Sequence, residues 1–138
     1  MRNFLLLPLL LSVFHLSQAD AGGPIFCFKP GPKQIASKLQ FNFPSQGKDV
    51  GRILHQENKF IIEVKRLKEI ELKRNGDRPS RVKTEWVELP ETSSSGRYFL
   101  VSQGAVADSL EYRSAKSRVI KFVQDPDATN GQDCDWGQ

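Results

Sequence analysis

The chain has 138 residues, of which 38% are hydrophobic and 26% charged, with a formal net charge of +4. Past residue 21 no apolar run approaches the length of a membrane-spanning helix, and there is no repeat or low-complexity tract. The charge favours a polyanionic partner without requiring one, since a small lysine-rich binding domain has the same balance.

Residues 1–21 read as a secretory signal peptide. Arg2 gives a weakly positive start, Phe4 to Leu16 is a largely apolar run of 13 residues, and SQA and ADA offer small residues for cleavage after Ala19 or Ala21. The remaining residues, 22–138, form one expected domain with a stability on the order of 5–10 kcal/mol. Its formal charge stays at +4, because the leader removes only Arg2 and Asp20. Its two cysteines, Cys27 and Cys134, admit one pairing, and an oxidising export route predicts that they are bridged. No N-x-S/T sequon occurs.

In chain order, Gly22 to Pro24 form a flexible leader, and IFCF is a short apolar segment able to pair with a sheet edge while holding Cys27. KPGP turns the chain. Residues 34–41, QIASKLQF, place Ile35, Ala36 and Leu39 at helical spacing. Asp49 is an expected N-cap for a second helix over VGRILHQEN, with Val50, Ile53, Leu54 and Glu57 at 3–4 spacing; Gly51 weakens it by about 1 kcal/mol. KFIIEVKRL suits a strand or a continuing helix; its branched residues favour a strand, leading into a hairpin at Asn75-Gly76.

Residues 81–124 then fall into four short segments cut by Pro90, TSSSG, QGAVAD and AKS, the pattern of an antiparallel meander. In the first of them Val82, Thr84, Trp86 and Glu88 alternate with Lys83, Glu85, Val87 and Leu89. A meander with one apolar face needs a cover, which the two helical segments would supply. The expected fold is therefore α+β, a helix packed on a twisted antiparallel meander. The aperiodic end, DPDATNGQDCDWGQ, reads as a tail pinned by Cys134.

Little catalytic chemistry is visible. Residues 22–138 hold one histidine, His55, and with the cysteines bridged no metal site of known spacing can be assembled and no cofactor is expected. No phosphate loop, G-x-S-x-G or H-E-x-x-H is present. The span 65–83 carries Lys65, Arg66, Lys68, Lys73, Arg74, Arg78, Arg81 and Lys83 against Glu69, Glu71 and Asp77. Such a cluster could meet phosphates, with Trp86, Tyr98 and Tyr112 as stacking faces; it also suits a solvated face protecting outer strands.

Glu85-Trp86 on one strand and Arg97 on the next resemble the small microbial ribonucleases, in which a carboxylate acts as base, a histidine as acid and an arginine stabilises the phosphorane. The resemblance puts Glu85 in the carboxylate position and Arg97 in the arginine position, with His55 as a remnant second histidine. The decisive histidine is replaced by Tyr112 or Arg113 in SLEYRS. The layout from 22 to 138 is also similar to the RNase-like secreted effectors of powdery mildew fungi: IFC near the mature start, a final cysteine, and GRYFLVSQ…DSLEYRS between, with Ile25 where that family usually carries an aromatic. That resemblance implies a secreted, monomeric virulence effector without catalysis, translocated to the host cytoplasm. Its implied partners are a host plant protein or host RNA and an intracellular immune receptor, with no membrane partner. Two alternatives stand beside it. One is an active ribonuclease using Glu85, His55 and Arg97. The other is an unrelated disulfide-closed secreted binding domain, which a sheet lacking the helix-on-meander layout would favour.

Overall fold

Leu39 and Phe41 are fully buried on one side of a strand, and so are Phe26 and Phe28, Trp86 and Thr84, Tyr98 and Leu100. Among the described residues these large core side chains recur with a period of two, the signature of strands facing one core. The computed structural model describes residues 22–73 and 76–137, apart from the side chain of Lys73. The signal-peptide reading, Arg74 and Asn75 lie outside the described residues.

Eight strands follow in order: β1 (Ile25–Pro30), β2 (Leu39–Asn42), β3 (Val50–His55), β4 (Ile61–Lys73), β5 (Arg81–Glu88), β6 (Arg97–Gln103), β7 (Val106–Arg113) and β8 (Val119–Gln124). Each pairs antiparallel with the next, and β8 returns to β1 through Phe28↔Gln124, Lys29↔Val123 and Pro30↔Phe122. The sheet is a closed up-and-down barrel. A single 3-10 turn, Pro126–Ala128, is the one helical element among the described residues.

The α+β expectation is overturned by this topology. QIASKLQF is a loop running into β2, and VGRILHQEN is β3 and its turn. The helical reading failed because residues i and i+4 share a face in both geometries, so Val50/Leu54 and Ile35/Leu39 fit either period. Burial separates them: Ile35 is 90% exposed, whereas Leu39, Phe41 and Ile53 are enclosed. The apolar face of the meander needs no helical cover, because the sheet curls until it covers itself. Eight strands leave an interior just wide enough for side chains to fill, and Phe28, Phe41, Ile53, Val64, Trp86, Leu100, Leu110 and Phe122 fill it. Gly51 faces this core from β3; a Cβ there would lie 2.9 Å from the Asn42 carbonyl and 3.3 Å from Pro44. It is a packing glycine in a strand, not a weak point in a helix.

The expected strands at 59–67, 81–89, 97–102, 110–113 and 118–124 correspond to β4 to β8, and the expected hairpin joins β4 to β5, with Lys73 opposite Arg81. The outer wall is charged, with Lys65, Lys68, Arg97 and Arg113 pointing outwards and exposed. That is the reverse of a lipid-facing barrel, whose outer band is apolar.

The cysteines are bridged, Cys27 to Cys134, with Cα atoms 5.7 Å apart. The bridge pins the tail against the outside of β1 and β2. There Gln40, outward-facing yet 3% exposed, accepts from the Cys134 amide (2.8 Å) and donates to Asn42 (2.7 Å) and Asp133 (3.3 Å).

The two ends of the barrel differ. At one end Arg66 turns inward and caps the core, its guanidinium 5.3 Å from the centre of the Trp86 ring. It donates to the Lys48 carbonyl (2.8 Å), Glu69 (2.8 Å) and Asp49 (3.4 Å). The turns at that end bend at Gly47, Gly76 and Gly104, all at positive φ, which glycine adopts without strain. At the other end, loops 31–38, 56–60, 89–96 and 114–118 surround an uncapped mouth. Its positive-φ positions are Lys33 (φ 63), Lys59 (φ 50) and Ser117 (φ 65), conformations that cost a residue with a Cβ.

Candidate functional site

Alternation along β5 sends Thr84, Trp86 and Glu88 inwards, so the last of them brings a carboxylate to the mouth of an apolar barrel. The chain holds it there from two sides. Tyr98, opposite Trp86 on β6, donates its hydroxyl to Glu88 Oε1 (3.1 Å), and the Gly96 amide donates to Oε2 (3.1 Å). Tyr98 is followed around the wall by Tyr112 on β7 and Ile120 on β8, in direct register; the two tyrosine rings lie 5.0 Å apart. His55, the last residue of β3 and the partner of Leu39, faces the same space.

These groups enclose a cup of about 290 Å³ whose walls are mainly apolar, including Leu39, Ile62, Ile120 and Phe122. A second, more open groove of about 700 Å³, under Phe60, Leu89 and Ser94, shares Ile62 and Glu88 with it. Glu88 therefore stands between the two spaces. Gly96 is the hinge of this arrangement: a Cβ at that position would overlap the Tyr112 ring and hydroxyl.

The electrostatics single out Glu88. Burial pushes the Tyr98 hydroxyl far above its usual range, and the neighbouring carboxylate of Glu88 adds to the effect. Tyr112 is raised for the same two reasons, with Arg118 acting against them. Burial lowers His55 below its ordinary value, opposed by Glu88 and Glu57. Both phenols and the imidazole are thus neutral at neutral pH. Of the charged groups lining the cup, Glu88 is half-buried, while Arg118 sits at its exposed rim.

No family model, curated protein or solved structure matches this chain.

The residues singled out from sequence are divided by the barrel wall. Glu85 and Arg97 do meet, with Arg97 Nη1 donating to Glu85 Oε1 over 2.6 Å, but on the outer face. Arg113 borders the same shallow groove, pairs with Glu111 and lies 4.4 Å from the centre of the Phe99 ring. His55 lines the cup inside, so no cavity among those described holds Glu85, Arg97 and His55 together. Trp86 and Tyr98 are 0% and 1% exposed, which corrects their expected role as stacking faces: the period of two turns both rings into the core. Arg66 is likewise spent on the barrel end. Arg81 pairs with Asp108 (2.7 Å), and Lys65 and Arg78 are exposed on the surface.

Glu88, Arg118 and the rim residues were missed. One signal was available for Glu88. It continues the Thr84–Trp86 face, and a carboxylate on the face of a tryptophan is out of place unless something uses or satisfies it.

Proposed function

We propose that this chain is a disulfide-closed binding domain whose barrel mouth takes a small, mostly apolar ligand carrying a cationic nitrogen. The observation that carries the reading is the Glu88 carboxylate, held by Tyr98 and Gly96 in the lining of a mainly apolar cup. Mouths of β-barrels are common ligand sites, and a few fixed polar groups in an apolar lining orient the ligand. Each carboxylate oxygen retains acceptor capacity beyond the bond it already makes. Beside it the half-buried Tyr112 ring, which lines the cup, offers a face that favours a cation over a neutral or anionic head. The neutral His55 and two un-ionised phenols add no charge against such a ligand.

The sheet without a helical layer is the layout that favours a binding domain over the ribonuclease-like alternatives. The effector resemblance rests on IFC, the final cysteine and GRYFLVSQ…DSLEYRS; of its expected layout the described residues keep the antiparallel strands and the bridge but not the helix.

The test is calorimetric titration with phenethylamine, phenethyl alcohol and phenylacetate, three probes of one shape and different head groups. Saturable binding of the amine is expected, weaker binding of the alcohol, and none of the carboxylate. Glu88→Gln should abolish the preference for the amine. Equal binding of amine and carboxylate, or no saturable binding of any of the three, would overturn the reading.

A further inference from the structure

The open end carries apolar side chains where a barrel facing only water would not place them. Ile35, at the tip of loop 31–38, is 90% exposed, and Phe60, in loop 56–60, is 59% exposed. They border the two spaces on either side of Glu88. Neither tip hangs on a loose loop. The first loop is braced by Gly31 N to the Lys121 carbonyl (2.9 Å), by Lys121 N to Gln34 (3.3 Å), and by Gln56 N to the Lys38 carbonyl (3.0 Å). The second is tied back by Phe60 N to Asn58 (3.1 Å) and His55 N to the Phe60 carbonyl (3.1 Å). Beside the tips stand Lys33 and Lys59, the residues held at positive φ.

The surrounding charge is one-sided. The four mouth loops contain Lys33, Lys38, Lys59, Lys116 and Arg118 against Glu57 and Glu91, a balance of 5 − 2 = +3. Lys38 is turned towards the Trp136 ring, 5.6 Å from its centre, while the other four bases are exposed. At the opposite end Arg66 and Arg81 are held in ion pairs, while the β4–β5 hairpin adds Lys68, Arg78 and Lys83 without, among the described residues, exposed apolar loop tips of the size of Ile35 and Phe60 beside them.

We infer that the open end docks on an anionic phospholipid surface, with Ile35 and Phe60 entering the head-group boundary and Lys33, Lys59, Lys116 and Arg118 facing the lipid phosphates. Separate apolar points ringed by bases match an interface that is apolar below and anionic above. A protein partner would favour one continuous apolar patch; here Phe60 continues into Ile61 and the groove with Leu89, while Ile35 stands apart on its own loop. Such a contact needs no membrane-spanning segment, so it departs from the sequence expectation of no membrane partner without requiring a long apolar run. It shares Ile35 and Arg118 with the lining of the cup, but it does not use Glu88 or a tyrosine, so a change at Glu88 separates it from the ligand proposal.

Co-sedimentation with phosphatidylcholine vesicles, with and without phosphatidylserine, tests it. The protein should sediment with the phosphatidylserine vesicles and be released by salt. Lys33→Gln with Lys59→Gln should weaken binding by about twenty-five-fold, at about fivefold for each base. Ile35→Asp with Phe60→Asp should abolish it without lowering the melting point, as both side chains are exposed. Phe60→Trp should shift its fluorescence to the blue when vesicles are added, and Glu88→Gln should bind vesicles like the parent. Absence of phosphatidylserine-dependent sedimentation, undiminished binding of the double aspartate variant, or no fluorescence shift would overturn the inference.

Discussion

The Tyr98 hydroxyl reaches Glu88 across 3.1 Å at the point where the barrel core gives way to its mouth. The bond joins the most enclosed tyrosine of the chain to the carboxylate proposed as the ligand's counter-charge, so folding and binding meet there.

Tyr98→Phe keeps the ring and removes the donor. It should cost roughly 1–3 kcal/mol, because a half-buried carboxylate oxygen loses its partner. Burial holds the hydroxyl of the folded protein above the ordinary value of about 10, so above that pH the unfolded chain releases a proton that the folded chain keeps. Stability therefore falls as pH rises through about 10. Urea unfolding followed from about pH 8 to about pH 11 should show this fall in the parent and a shallower one in Tyr98→Phe. Equal slopes would refute the assignment.

His55 gives the opposite slope at the acid side. Its folded value lies below the ordinary value of 6.5, burial being the main cause, so between the two values the unfolded chain binds a proton that the folded chain does not. Its contribution is complete above about pH 6.5 and is lost as pH falls towards the lowered value. In the same way, a cationic ligand beside the cup should bind less well once His55 is charged. His55→Gln should flatten the pH dependence of the urea midpoint just below about pH 6.5. A slope unchanged by the substitution would assign it to other groups.

The Cys27–Cys134 bridge spans a sequence separation of 107, for which chain-entropy arithmetic gives roughly 4–5 kcal/mol. The barrel itself closes through β1 and β8, so the double serine variant should retain its far-UV spectrum while losing about 2–5 kcal/mol in urea unfolding. Its tail should also become protease-sensitive, because the Cys134 amide is the bridgehead's one direct bond to Gln40. An unchanged urea midpoint would show that the remaining tail contacts hold the segment unaided.

The strands of residues 81–124 were legible because their apolar residues alternate between turn signals, and β5 to β8 each pair with the strand next to them in sequence. The same holds for the pairing of the cysteines, which had a single solution. The first half was misread: at 34–41 and 50–58 the apolar residues sit at separations common to a helix and a strand. Only the partner strands decide between them. Phe41 settles β2 by pairing with Ile53 on β3 and by packing on the Trp86 ring of β5, 5.2 Å away and distant in sequence.

The site divides along the same line. A family resemblance read from the sequence marked Glu85, Arg97 and His55 as chemically notable and set the first two on neighbouring strands, where their side chains meet. It could not say that Glu85 faces out and His55 in. Facing is a property of the closed sheet, because one wall of a barrel separates successive residues of a strand. By itself the sequence determined that this chain would build an antiparallel sheet with bridged ends. Whether that sheet would be covered by helices or cover itself was decided only by closure of β8 on β1, and closure also made one end a plug of Arg66 on Trp86 and the other a mouth around Glu88.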